Sequence, residues 1–210
     1  MDHSESRCEN CIIRQFNALR AMSRDELKKV SDSKITKKIK KGESLFEEGD
    51  KLNGVFCVRN GISKLSKLSE NGKAQIVKLA TKGEVIGQRS VIAEECANLS
   101  ATAVEDMEVC FIPKDSITST LQNNPNFTLE VLRHRALDLR EADDVSENMS
   151  QKTANQRVAE AFLYLRNNFG EDDEGFLALT LSREDISIVV GTATESAIRI
   201  ISEFKKKVLI

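Results

Sequence analysis

The apolar positions of this chain change period twice. Over residues 7–33 they recur at helical spacing, with Leu19, Met22, Leu27 and Val30 as core contacts. Ser23 followed by Glu26 is a capping box, which places a helix break near Met22 or Ser23. From Ile35 to about Ile112 short alternating runs take over: Ser44–Phe46, Gly54–Arg59, Ile62–Leu68, Ala74–Leu79, Ala101–Val104 and Glu108–Ile112. Seven of the ten glycines punctuate this stretch, and Asn60-Gly61 and Asn71-Gly72 read as hairpin turns. Many short strands at this spacing predict an antiparallel sandwich or barrel. Beyond Pro125 the helical period returns. Phe127–Met149 is one long pattern with Leu129, Leu132, Ala136, Leu139, Ser146 and Met149 near a heptad seam. Residues 153–169 form a further amphipathic helix with Val158, Ala161, Phe162 and Leu165 inward, and Phe176–Leu181 reads as a short strand.

The run Leu181–Phe204 predicts two helices joined by a tight turn. Ser182 caps the first, with Asp185 in the reciprocal position, and Ile186, Val189 and Val190 give it one apolar face. Gly191 ends it, where positive φ is needed. Thr192 and Glu195 then open a second helix over about 192–204, with Ala197, Ile200, Ile201 and Phe204 as its buried stripe. Such a helix–turn–helix offers the exposed half of its second helix to the DNA major groove. The exposed candidates are Thr194, Glu195, Ser196, Ile198 and Arg199. Arg199 can donate two parallel hydrogen bonds to guanine, Glu195 can accept from the cytosine amino group, and Ile198 can meet a thymine methyl. The competing reading is an i, i+4 ion pair between Glu195 and Arg199, worth about 0.3–0.5 kcal/mol, beside a stray exposed hydrophobe.

Charge changes this picture little. The net charge is −2, and residues 181–210 carry five Lys/Arg against four Asp/Glu, so DNA affinity must rest on local charge such as Lys205–Lys207. The five lysines of Lys34–Lys41 read as a solvated strand edge that blocks aggregation. No apolar run approaches the roughly 20 residues needed to cross a bilayer, and the polar N-terminus holds no signal-peptide core, so the expected location is cytoplasmic, away from membranes. The chain has two histidines, His3 and His134, and no nucleophile elbow, P-loop or HExxH motif, which argues against an enzyme.

The stretch GTATESAIRIISEFKKK resembles the recognition helix of the CRP/FNR transcription regulators, with Glu195 and Arg199 at the positions that read the half-site. KKGESLFEEGD, VFCVRNG and NGKAQIVKLATKGEVIG are similar to the cyclic-nucleotide-binding β-roll of that family, and Arg157 matches an Arg in the first helix of its DNA-binding domain. The resemblance implies a homodimer formed along the long helix, double-stranded DNA as partner, and RNA polymerase as a further one. Asp143, on or beside the seam, would then face its own twin. Family members usually continue into a two-stranded wing. Here Ile210 follows the recognition helix closely and Val208 stands where a glycine is usual, so the expected domain is truncated before the wing.

Within the resemblance two sites differ from the pattern. In the loop GEVIGQRSVIAEECANLSATA, Gln88 stands at the ribose-binding Glu, and Ala97, Asn98, Leu99 and Ser100 lie near the phosphate-binding Arg-Ser with no cation among them. Arg89 sits on the other side of the cassette. Burying a phosphate without a cation is costly, so cyclic AMP is disfavoured as effector. In the FNR branch a [4Fe–4S] cluster is held by a C-x-x-C, a third Cys six residues on, and a distant fourth. Cys8, Cys11 and Cys110 match three of these ligands, and Asn17 stands at the remaining one. Cys57 and Cys96 read as core and loop residues. An iron–sulfur cluster or other metal, a thiol switch, and no cofactor at all stay open for the three cysteines.

The reading is therefore an α+β chain in four parts. They are an N-terminal helical segment with the C-x-x-C (1–33), a cyclic-nucleotide-binding-like, jelly-roll-like antiparallel β-roll as sensor (34–122), a dimerisation helix (123–150) and a helix–turn–helix domain (151–210). The expected function is a dimeric, sequence-specific transcription regulator answering a redox, gas or small-molecule signal other than cyclic AMP. The alternative is a small-ligand-binding regulatory protein that does not bind DNA.

Overall fold

A computed structural model describes residues 7–68 and 74–207. The chain divides by its contacts into two units, the first made of residues up to Lys67 with Val77–Leu139, the second of Leu68–Ile76 with residues from Arg140 on.

The strands are β1 (Ile35–Ile39), β2 (Ser44–Phe46), β3 (Gly54–Asn60), β4 (Ser63–Leu68), β5 (Ala74–Ala80), β6 (Val85–Ile86), β7 (Ser100–Ala103) and β8 (Met107–Pro113), all within the first unit except the end of β4 and the start of β5. They form two four-stranded sheets, ordered β1-β8-β3-β6 and β2-β7-β4-β5, with antiparallel pairing. This is the antiparallel β-roll that the alternating runs predict. Strand β3 is buried along most of its length because both faces of its sheet are covered. Phe56 and Val58 turn inward to meet Phe46, Ala101, Met107 and Val109. Val55 and Cys57 turn to the other face, where Cys110 and Ile112 of β8 join them against Ile13, Leu19 and Leu27. At the sheet edge, β1 carries its lysines into solvent, as the edge reading predicts.

Asn60-Gly61 is not a hairpin. Its flanking strands β3 and β4 lie in different sheets, so the turn is a corner between layers. A register shift between Val58 and Asn60 bends the strand there. Gly61 has φ +85°, and a Cβ on it would stand 2.4 Å from Met107 Cβ. Asn71-Gly72 lies outside the described residues, as do His3 and Val208.

The N-terminal segment is not one α-helix. Cys8–Asn10, Ile12–Phe16 and Ala18–Ala21 are 3₁₀ turns, and only α1 (Arg24–Ser33) is α-helical, opening on the predicted Ser23–Glu26 capping box. The reason lies in the positions that must be buried: Cys8, Ile13, Asn17, Ala18, Leu19 and Met22 do not fall on one stripe of a helix with 3.6 residues per turn. Extended backbone at Cys11 and Asn17 resets the direction of the chain between turns. Two short helices accompany the strands, α2 (Gln88–Ala93) between β6 and β7 and α3 (Lys114–Asn123) after β8.

Helix α4 (Pro125–Gln151) begins with Asn124 Oδ1 accepting from Phe127 N at 3.0 Å. Phe127 and Val131 are buried, while Leu129, Leu132, Ala136 and Leu139 are exposed along one seam. Asp143 is exposed as well.

The second unit holds α5 (Ala154–Phe169), α6 (Arg183–Val190) and α7 (Thr194–Lys206). Val158 and Ala161 of α5 pack on Val190 and Ile200, with Phe162, Ile201 and Phe204 half-buried around them. The strand expected over 176–181 reduces to one bridge between Glu171 and Leu177. Leu179 alone of that run is buried, too little to hold a strand in place.

Candidate functional site: recognition helix and cysteine cavity

The α6–α7 pair follows from its caps. Ser182 Oγ accepts from Asp185 N at 2.9 Å and donates to the Asp185 carboxylate at 2.7 Å. Gly191, at φ 67° and ψ 49°, closes α6 in the left-handed conformation. Thr192 does not cap the next helix. The N-cap is Ala193, and α7 starts at Thr194. The hydroxyl of Thr194 lies 3.0 Å from that of Ser187, which ties the start of α7 to α6.

Arg157 holds the turn from the side. Its Nε donates to Val190 O at 2.9 Å, its Nη2 to Gly191 O at 3.3 Å and its Nη1 to Lys152 O at 2.7 Å. This role was hidden in the sequence, because the three carbonyls it satisfies carry no side-chain signature. On α7 itself Ala197 and Ile200 are buried, whereas Glu195, Ile198, Arg199 and Ser202 are exposed, and Thr194 and Ser196 are half-buried. Among the described residues no ion pair joins Glu195 to Arg199, and both head groups face out from an exposed helix surface.

The nucleotide cassette has a different character. Gln88 opens α2 and is buried, and its Oε1 has no hydrogen-bond partner among the described residues. Arg89 is exposed, with its guanidinium 3.9 Å from the Glu95 carboxylate. Ser100 Oγ accepts from Glu48 N at 2.9 Å. In this arrangement Arg89 lies exposed at the surface, near Glu95.

The cysteines come together. Cys8, Cys11, Cys57 and Cys110 line one cavity of about 20 Å³, with Arg14, Lys34 and Arg59 also on its wall. Cys57 and Cys110 are register partners on β3 and β8, so their side chains leave the same face of the sheet. The 3₁₀ turns place Cys8 and Cys11 opposite that face. Cys8 N is fixed by donating to Ser31 Oγ at 2.6 Å. Asn17 is buried: its Nδ2 donates to Gly83 O at 2.8 Å and to Cys57 Sγ at 3.6 Å, while its Oδ1 accepts from Leu19 N at 3.0 Å. The sequence pattern alone makes Cys57 a plain core residue. Its place opposite Cys110 depends on strand register, which the alternating pattern of β3 does not fix. Cys96 is exposed and stands apart from this wall.

Burial pushes the Cys57 thiol up to about 12, with the neighbouring cysteines adding to the shift. Burial raises Cys110 too, against Lys34, Thr36 and Arg59, which favour its thiolate. Soft donors beside cations suit an anionic, thiolate-held centre. Among the described residues no three His, Cys, Asp or Glu side chains are gathered so as to hold a metal ion as they stand. The thiols ring a cavity, and a centre placed there must be wider than one ion or must draw the sulfurs inward.

Comparison with known proteins places both halves. Residues 36–124 match the cyclic nucleotide-binding domain family, and residues 156–210 match the Crp-like helix-turn-helix domain family. The chain is 28% identical to the transcriptional activator protein Anr of Pseudomonas protegens, over 99% of this chain and 86% of that one. It is 29% identical to the fumarate and nitrate reduction regulatory protein of Yersinia pestis, over 95% and 80% of the two chains. Among solved structures it is similar to FixK2 from Bradyrhizobium japonicum, with a TM-score of 0.74 and 25% identity over 83% of this chain and 85% of that one. Among the described residues no helix is long and apolar enough to cross a membrane. The two domain matches in this order, and relatives that are regulators along nearly the whole length, agree with the β-roll and the helix pair built above. The chain belongs to the CRP/FNR family of transcription regulators.

Proposed function

We propose that this chain is a homodimeric, sequence-specific DNA-binding transcription regulator whose sensor half answers a redox or gas signal through its cysteines. The observation that carries the DNA reading is the two-sidedness of α7. Ala197 and Ile200 anchor the helix, and Glu195, Ile198 and Arg199 stand exposed on its other side. On a helix held this way, Arg199 reads guanine by two parallel donors, Glu195 accepts from the paired cytosine and Ile198 meets a thymine methyl. Ser196 and Thr194, half-buried at the helix start, sit where backbone phosphate contacts position the reader. Dimerisation along Leu129, Leu132, Ala136 and Leu139 of α4 covers an apolar seam that one chain leaves exposed, and it matches two half-sites about one helical turn apart. RNA polymerase is then the partner through which the bound dimer acts, and the cytoplasm its place.

Cyclic AMP is not the signal in this reading. Gln88 replaces the ribose carboxylate, and Arg89 stands exposed at the surface. The cysteine wall is the better sensor, with Cys8, Cys11 and Cys110 as the residues that would hold a metal cofactor. An iron–sulfur cluster held there supplies a redox-active, thiolate-ligated centre. The chain's own contribution is to converge the thiols on one cavity and to set Lys34 and Arg59 beside Cys110, where they favour its thiolate against the burial that raises its pKa.

The test is a binding-site selection with wild type and Arg199→Ala. The substitution is expected to cost about 1–3 kcal/mol at the matched site and to relax base preference there. Unchanged selected sites would remove Arg199 as a base reader.

A further inference from the structure

We propose that Cys57 is a metal ligand, the fourth thiolate of a site whose other members are Cys8, Cys11 and Cys110. The inference rests on the metal reading of those three residues and adds a residue that neither sequence pattern nor family position assigns. Four of the five cysteines in the chain line the same cavity.

The geometry divides the site into two halves. Cys57 and Cys110 are locked opposite each other by the β3–β8 register, in the middle of a ladder that continues from Gly54–Pro113 to Val58–Val109. They project from the sheet face that also carries Val55 and Ile112, toward the N-terminal turns. Cys8 and Cys11 ride on short 3₁₀ turns, with Cys11 in extended backbone between them. One half is set by a strand ladder and the other by short turns. A cavity of about 20 Å³ has room for roughly one water. A cluster entering it must widen it.

Asn17 explains why the fourth ligand comes from β3. Both ends of its amide are committed, Oδ1 to Leu19 N and Nδ2 to Gly83 O, so this side chain is a buried structural bridge. The same Nδ2 lies 3.6 Å from Cys57 Sγ. The side chain at position 17 thus reaches the neighbourhood of the Cys57 sulfur. In this chain the residue at 17 serves as a donor to that sulfur, and the sulfur itself arrives from the strand. Hydrogen bonds to ligand sulfurs are one of the means by which a protein tunes a thiolate-held centre.

The class of ligand is a thiophilic centre with four thiolate places: an iron–sulfur cluster, or zinc in a closed four-sulfur site. The experiment loads the anaerobically purified full chain with ferrous iron and sulfide, and in a parallel arm with zinc alone. Bound iron, labile sulfide and zinc are measured per chain, and retention is measured against a chelator. Wild type, Cys8→Ser, Cys57→Ser, Cys57→Ala, Cys96→Ser and Cys110→Ser are compared. The expected result is about four iron and four sulfide per chain in wild type and Cys96→Ser. Retention should fall at least about tenfold in both Cys57 variants, as it does in Cys8→Ser and Cys110→Ser. Loss confined to the zinc arm supports the same four-thiolate site with zinc as its occupant. If both Cys57 variants hold metal as wild type does while Cys8→Ser and Cys110→Ser lose it, Cys57 is not a ligand and the three-cysteine reading survives. If wild type retains neither metal, the proposal and that reading fall together. Circular dichroism of the metal-free proteins checks folding, and Cys57→Ala, an apolar replacement in a buried strand, carries the test if the serine variant does not fold.

Discussion

The recognition helix and the cysteine cavity are assembled in opposite ways. Every candidate DNA contact lies within six residues of α7, Thr194–Arg199, and the helix period alone sorts them from the buried stripe. The cavity gathers residues 8, 11, 57 and 110, which share no local period and meet only because β3 pairs with β8 in one register. A site written on one helix can be read from its spacing. A site written across a sheet requires the register first, and register depends on contacts made throughout the fold.

The largest expected effect separates the two regions. Ile200→Ala removes an anchor of α7 from the cluster with Val158, Ala161 and Val190 and should destabilise the helix–turn–helix by about 2–5 kcal/mol. DNA binding should be lost, while the reactivity of the buried cysteines toward a thiol reagent stays at the wild-type level. A parallel change in thiol reactivity would show that the cavity depends on the DNA-binding half.

Arg157→Ala should cost about 1.5–3 kcal/mol, because its guanidinium supplies charged hydrogen bonds to Lys152 O, Val190 O and Gly191 O. The measurement is the thermal midpoint together with hydrogen exchange of the turn amides. Exchange confined to residues near 190–192 would sharpen the assignment of Arg157 to the turn. Ser182→Ala should cost about 1 kcal/mol through loss of the N-cap that accepts from Asp185 N. Ser182→Asp, which keeps an acceptor, should restore most of it, and equal loss in both variants would show that the cap bond is not the cause.

Legibility followed the same division. The strand runs, the Ser23–Glu26 box, the inward residues of α5 and the stop at Gly191 could all be read, because each is fixed by neighbours within a few residues. Asn60-Gly61 misled, since a turn signal fixes the reversal but not which sheet the next strand joins. The N-terminal turns misled because their buried positions follow no single period and are set by the sheet face they cover. Helix α3 was invisible for another reason. Its run KDSITSTLQN is rich in hydroxyl residues, and Thr118 and Thr120 both return their hydroxyls to the carbonyl four residues back, at Lys114 and Ser116. Cys57 combines these difficulties, being one apolar residue among several in a strand buried on both faces.

The smallest effect concerns how the cysteine segment is tied down. Arg20, at the end of the last 3₁₀ turn, reaches the Glu130 carboxylate of α4 with Nη2 at 2.6 Å and Nε at 3.1 Å, and Arg133 Nη1 donates to the other oxygen at 2.6 Å. These two guanidinium groups, Arg20 first, hold the Glu130 carboxyl below its ordinary value of 4.5. A carboxylate whose folded value is depressed binds protons more weakly in the native state than in the unfolded one. Its contribution is therefore complete above about pH 4.5 and is lost as the pH falls through the lower, folded value. The thermal midpoint should decline over that acid window. In Glu130→Gln the decline should be shallower, with a lower midpoint near neutrality, because Arg20 and Arg133 lose their charged acceptor. Arg133→Ala alone should leave much of the slope in place, since Arg20 still meets the carboxylate with two donors. An acid decline identical in wild type and Glu130→Gln would mean that other carboxylates govern it, and that Arg20 holds the turn through packing.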